Sequence, residues 1–351
     1  LAESIRAWNR DHGQPLDAPV SAAVRSQLRS DVGRATFLEK HGRQPDEREL
    51  AGHIARESRP AQKACAGFDI TFSPVKSVSV LWAIGNDQVA KAVEDAHYEA
   101  VMKALAWIEE NALYTRRGAG GVRQVDVKGA IATVFQHRDS RDGDPNLHSH
   151  LVIANKVQAV EDGAWLAVDG ATLFKFMVCI SEQYNTALEI ALNHRLGVRF
   201  VERVRADGKR STREVAGIPD EVIDAASNRR AAINARRTVL TEEFIARHGR
   251  PPTVVEGIRL AEQANLETRQ AKHEPRSFND QRAGWQRMLG AVVGGVQGLQ
   301  RIIADVRQAC SRRGTIVGGG TVEALAEQTV AAVEASRSRF GYNHIKAEAD
   351  R

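Results

Sequence analysis

The chain is poor in cysteine, in tyrosine and in long apolar runs, and each shortage excludes a class. Its three cysteines, Cys65, Cys179 and Cys310, are odd in number and far apart, which fits neither a disulfide framework nor paired zinc thiolates; they read as reduced, intracellular thiols. No apolar stretch approaches the ~20 residues that span a bilayer, and the opening "LAESIRAWNRDHG" is polar and basic, without the apolar core of a secretory signal. These features predict a cytoplasmic chain with no membrane insertion. An initiator methionine is missing, which implies a fragment or a processed chain. Aromatic residues make up only 5%, leaving few platforms for stacking nucleic-acid bases. There is no GxxxxGK[ST] loop, and "GTIVGGGTVEALA" at 314–326 lacks the phosphate-binding lysine, so no motor is expected.

What is present is a chain of 351 residues, 42% hydrophobic and 26% charged, long enough for one large core or two ordinary ones. Lys and Arg number 49 against 44 Asp and Glu, for a formal net charge of +5 and a pI near 9.2, a mild bias toward polyanion partners. Residues 1–60 have helical spacing and no strand-like alternation. "FLEKHGRQP" at 37–45 is echoed by "FIARHGRPP" at 244–252, which reads as two similarly capped helices. "FDITFS" at 68–73 reads as a strand followed by a loop and then by a long helix over 87–112. "VKGAIATVFQH" and "LHSHLVIANKVQ" read as two more strands, apolar on both parities and so expected inside a sheet covered on both faces.

"LFKFMVCISEQYNTALEIALNHRLG" predicts a helix ending at Gly197. "VRFVERVRADGKRSTREV" predicts a basic hairpin turning at Asp207 and Gly208. From Pro219 the pattern is almost wholly helical, and "WQRMLGAVVGGVQGLQRIIADV" reads as one amphipathic helix with glycines that admit a neighbouring helix. The expected fold class is α+β: an antiparallel sheet core with flanking helices and a helical C-terminal region, divided into a core over 1–218 with an N-terminal helical segment and a helical extension over 219–351.

The chemistry concentrates in "HRDSRDGDPNLHSHLV" at 137–152. His148 and His150 are two apart on a strand and share one face, with Cβ atoms about 7 Å apart. His137 ends the preceding strand, and the ten residues between it and His148 keep the two strands neighbours. Three neutral imidazoles suit a divalent ion such as zinc, nickel, copper or manganese and leave positions open for substrate or water. The acidic tip of the turn, Asp139, Asp142 and Asp144, interleaved with Arg138 and Arg141, reads as a solvated loop. Asn155, on the opposite parity to His150, reads as a brace for the sheet.

"GFDITFSPVKSVSVLWA" at 67–83, together with "HRDSRDGDPNLHSHLVIANK" at 137–156, resembles the TrwC/TraI (MobF) class of conjugative relaxases within the HUH endonuclease superfamily. The likeness lies in the Phe-Asp-x-Thr-Phe-Ser-x-x-Lys-Ser-Val-Ser segment, in the spacing of eleven and then two between the histidines, and in the Asp-Pro-x-Leu-His-x-His phrasing. It continues through "EVAGIPDEVIDAASNRRAAI" and "RQAK", and covers most of the chain from about residue 60. The resemblance implies a palm-like HUH fold and metal-dependent, strand-specific nicking of origin-of-transfer DNA by transesterification onto a tyrosine.

It also implies a divalent metal cofactor (Mg, Mn or Zn) held by His137, His148 and His150, with Asp69 as their catalytic acidic companion, either orienting an imidazole or accepting a phenolic proton. The implied partners are single-stranded DNA at an origin of transfer and other conjugation proteins. Lys76 and the basic hairpin residues Arg203, Arg205, Lys209, Arg210 and Arg213 are the expected phosphate contacts; exposed, solvated positions are the competing reading for each. The family places its nucleophilic tyrosines ahead of the Asp segment, whereas the first tyrosine here is Tyr98, so the nucleophile is unassigned. Two other functions fit the residues: a non-cleaving single-stranded DNA-binding module of the same fold, and a three-histidine zinc hydrolase.

Overall fold

The computed structural model describes residues 1–58, 64–204, 211–271, 274, 276–311 and 321–350. Contacts divide the chain into two units, Leu1–Cys65 and Ala66–Arg351.

The first unit is helical. α1 (Ala2–Asp11), α2 (Ala22–His41) and α3 (Glu47–Glu57) carry the first 57 residues. α2 stops at Gly42, whose φ of 68° is left-handed, and α3 starts with a capping box between Asp46 and Glu49. The α2–α3 hairpin closes over Phe37 and Leu50, and His53, itself buried, is tied to the Thr36 hydroxyl at 2.9 Å.

The second unit is built on β1 (Gly67–Phe72), which leads into α4 (Lys76–Ile84) and α5 (Asp87–Asn111). A short ribbon, β2 (Tyr114–Arg117) with β3 (Arg123–Asp126), precedes the two principal strands, β4 (Ala132–Asp139) and β5 (Pro145–Ala154). The main sheet has the antiparallel order β1-β5-β4. β6 (Val157–Gln158) and β7 (Trp165–Leu166) form a second ribbon, followed by α6 (Gly170–Lys175) and α7 (Met177–Leu196). β8 (Phe200–Arg203) pairs with β9 (Thr212–Val215), as expected of the basic hairpin; its turn lies outside the described residues. α8 (Asp220–Ala225), α9 (Asn228–His248), α10 (Val254–Glu267), α11 (Phe278–Val293), α12 (Val296–Ser311), α13 (Val322–Ser336) and α14 (Tyr342–Ala349) complete an α+β unit.

Three expectations are corrected. The sheet is covered on one face only: along β5 the residues alternate strictly between buried and half-buried, and no residue of β4 is buried. Ile70, Phe72, Leu147, Leu151 and Ile153 point into a core shared with α4, α5 and α7, while the other face stays open. The expected loop after β1 contains α4, whose residues from Ser77 to Ile84 are all buried. A segment apolar on every side carries no helical period, so its pattern hid it. The long helix around residue 294 is two helices, α11 and α12, because Gly294 and Gly295 both take left-handed φ angles, 82° and 80°, that only glycine adopts without strain. The glycines thus admit a partner that is the next turn of the same chain.

The echoed phrases do share one cap. α9 ends at Gly249 with φ 67°, and the turn into α10 repeats the capping box with Thr253 and Glu256. Arg43 lies over Phe37 and pairs with Glu49, as Arg250 lies over Phe244 and pairs with Glu256.

Candidate metal centre

The open face of the sheet is a matter of register. His137 pairs with His148 across β4 and β5; Phe135 and Thr71 flank His150 from either side; Thr133 and Asp69 flank Val152. The period of two then places Asp69, Thr71, Phe135, His137, His148, His150 and Val152 on one face. The three histidines converge as their spacing predicts. One ligand atom from each lies within 4.8 Å of the others, and the ring centroids are 5.0–5.4 Å apart.

Each partner of the imidazoles favours a ligating form. Both carboxylate oxygens of Asp69 lie 2.9 Å from His150 Nδ1, with the Thr71 hydroxyl at 3.2 Å. A carboxylate in that position accepts the Nδ1 proton and leaves Nε2 as the nitrogen with a lone pair. His148 Nδ1 is 2.8 Å from the Asn146 carbonyl and 3.2 Å from Asn146 Nδ2, and the shorter contact, to an acceptor, favours the same tautomer. Burial pushes the His148 pKa down, and the neighbouring His137 and His150 push the same way against the Asn146 bond, so this ring is neutral at pH 7. Three adjacent imidazoles with open space above them match the donor set of an open-sided divalent ion.

Beneath the sheet, Ser149 faces away from the cluster. Its hydroxyl is 2.8 Å from His97 Nε2, and His97 Nδ1 is 2.7 Å from the Tyr184 hydroxyl, a network with no exposed member. Tyr184 therefore lies on the covered side, and burial raises its pKa well above the ordinary range. Tyr98 and Tyr342 are exposed on helices, at 54% and 65%.

The loop between the ligand strands is not the solvated turn that its charges suggest. Asp144 is 1% exposed and accepts hydrogen bonds from the Ser140 hydroxyl, from Asn228 Nδ2 at 2.8 Å and from the Arg229 amide at 3.0 Å, at the start of α9. Gln281 Nε2 donates to Asp139, and Trp285 Nε1 donates to the Gly143 carbonyl at 2.7 Å. Asn155 braces the sheet as expected, its side-chain oxygen accepting from the Val168 amide at 2.8 Å.

Among the expected phosphate contacts, Lys76 opens α4 half-buried, with its ammonium on the Pro145 carbonyl and Asn146 Oδ1. Arg203 pairs with Asp220 and Asp224, and Arg213 with Glu189. Arg205, Lys209 and Arg210 lie outside the described residues. Sequence reasoning missed Phe135, 52% exposed directly across from His150. Its signal was there: two residues before His137, it shares that histidine's face.

A helix-backed antiparallel sheet with three converging imidazoles on its open face defines a palm-like α+β protein with a candidate metal centre. Residues 11–292 match the TrwC relaxase family, and the chain belongs to that family. It is 29% identical over 252 residues to the multifunctional conjugation protein TraI of Escherichia coli, an alignment covering 70% of this chain. TraI of Escherichia coli strain K12 is 30% identical over 208 residues, 57% of this chain. The chain spans only 13% and 11% of the lengths of these relatives. Among solved structures, a metal-free complex of the conjugative relaxase TrwC with OriT DNA superposes with a TM-score of 0.52 at 26% identity, covering 72% of this chain and 87% of that one. A copper-bound TrwC complex with OriT DNA gives 0.53 at 25% identity, covering 76% and 94%.

Proposed function

We propose that this chain is the relaxase domain of a conjugative DNA-transfer protein, cutting one strand at an origin of transfer by metal-dependent transesterification. The observation that carries the reading is the convergence of His137, His148 and His150 on an open sheet face, in a chain of the TrwC relaxase family. TrwC structures that hold OriT DNA and copper support both the DNA partner and a divalent ion. Residues 1–218 serve as core and N-terminal segment, and 219–351 as the helical extension that holds the loop between the ligand strands. Other conjugation proteins are partners on the same family grounds.

In the reaction a phenolic oxygen attacks phosphorus, losing its proton, and the deoxyribose oxygen that leaves gains one. His137, His148 and His150 would hold the ion, which when bound would offset charge developing on the nonbridging oxygens. Asp69, with both oxygens at His150 Nδ1, is placed better to orient that ring than to accept the phenolic proton. Phe135 offers its exposed ring to a base beside the scissile phosphate, and the basic residues Arg203 and Arg213 of β8 and β9, with Arg205, Lys209 and Arg210 of the sequence between them, are the candidate phosphate contacts. Lys76, bonded to internal acceptors, is better suited to bracing than to phosphate.

A denaturing gel with end-labelled origin oligonucleotide tests the reading. With the family's tyrosine segment joined ahead of residue 1, a protein–DNA adduct is expected. His148→Ala should lower it by at least 100-fold, and Asp69→Asn should lower it less. Release of a free 5′ phosphate without adduct establishes the zinc hydrolase instead, and binding with neither product establishes the non-cleaving module.

A further inference from the structure

The segment "KSVS" at 76–79 has no role in the chemistry above, yet all three of its polar side chains are engaged. Lys76 Nζ donates to the Pro145 carbonyl at 3.0 Å and to Asn146 Oδ1 at 3.3 Å. Ser79, one helical turn further along α4 and fully buried, accepts from the Leu147 amide at 3.3 Å. Ser77 grips the β8–β9 hairpin instead, accepting from the Val215 amide at 2.7 Å while its own amide donates to Glu214 at 3.0 Å.

Lys76 and Ser79 take hold of β5 where its ladder is broken. His137 pairs with His148, but two residues later Asp139 pairs with Pro145, so two steps on β4 face three on β5. The extra residue makes a β-bulge over 145–148, and a bulge frees backbone groups from the ladder and re-aims the side chains beside it. The Asn146 carbonyl is one such group. It turns to His148 Nδ1 at 2.8 Å, while the Asn146 side chain sets Oδ1 on Lys76 and its amide nitrogen 3.2 Å from the same His148 Nδ1. The ammonium is held inside, near the carboxylates of Asp144 and Glu214, and burial lowers its pKa. A desolvated ammonium keeps its acceptors firmly, since losing them leaves it unpaired.

We propose that Lys76 and Ser79 clamp the β5 bulge so that the Asn146 carbonyl fixes the ring orientation and Nδ1–H tautomer of His148, making both of them positioning residues for the three-histidine site. The inference rests on the metal-binding reading, but its first consequence, the tautomer, exists without an ion.

The test uses the 351-residue chain. Long-range 1H–15N spectra of the metal-free protein should show His148 as a single Nδ1–H tautomer, and Lys76→Met should show a mixture. Calorimetric titration with zinc and with manganese should show Lys76→Met binding about 10- to 100-fold more weakly, the usual cost of losing a group that orients a ligand. Ser79→Ala should move both readouts the same way by less. A folded Lys76→Met with wild-type affinity and an unmixed tautomer overturns the clamp, as does a variant that only melts at lower temperature. If Lys76→Met does not fold, Asn146→Ala removes the acceptor and spares the carbonyl, and unchanged spectra and affinity there overturn it equally. Should the wild-type chain bind neither ion, the metal reading fails on its own and the tautomer spectra still decide the clamp.

Discussion

His97 is a residue whose ionisation the fold resists within the acidic range. It sits fully buried between Tyr184 and Ser149, and burial pushes its pKa down to about 4 from 6.5. The unfolded chain binds this proton at a higher pH than the folded one does. The stability that follows is fully present above pH 6.5 and is lost as pH falls through 4, on the order of 3 kcal/mol. Thermal melts between pH 7 and 4.5 should therefore fall more steeply for the wild type than for His97→Gln, and parallel curves would show that His97 contributes nothing to acid lability. No pattern in the sequence marked this histidine, which lies in an ordinary amphipathic helix. The three cluster histidines were legible because period two and a spacing of eleven fix their faces and register. The half-buried setting of Lys76 was not legible, because residue type alone does not tell a surface ammonium from an interior one.

At the scale of elements, loops and helices exchanged roles relative to their sequence patterns. α4 was hidden by uniform apolarity, and the 139–145 turn, which reads as solvated, is anchored by the helical extension. Asp144 is the anchor, a carboxylate set against the N-terminus of α9 and two side-chain donors. Asp144→Ala leaves the Arg229 amide without its acceptor, leaves Asn228 Nδ2 with only the Ala225 carbonyl as an oxygen acceptor, and removes a counter-charge from Lys76. The expected cost is about 1–3 kcal/mol, read as a lower urea midpoint at unchanged slope. A midpoint equal to wild type would mean that water replaces the carboxylate and the anchor is dispensable. Charge in a loop sequence indicates solvent only when no helix end faces it, and that pairing is tertiary.

At the scale of the whole molecule, the α+β class and the antiparallel sheet were readable from strand runs set among helical periods; the one-sided covering was not. Strands apolar on both parities predict two covered faces, but on the histidine face Val152 lies half-buried and Phe135 exposed. One face of the sheet thus answers to the core and the other, on the proposed function, to the substrate, and β5 alternates between them at every residue. Stability and activity should consequently come apart along ten residues of chain. In a saturation scan of 145–154, substitutions at Leu147, Leu151 and Ile153 should fail by unfolding, each truncation to Ala costing roughly 2–5 kcal/mol. Those at His148 and His150 should yield soluble, normally melting and inert protein. Plotted against position, abundance and activity would form two sawteeth half a period apart, and a scan in which they rise and fall together would mean that the open face is held by folding rather than by function. Such a strand is also a place where selection can retune the reaction one residue at a time without renegotiating the fold.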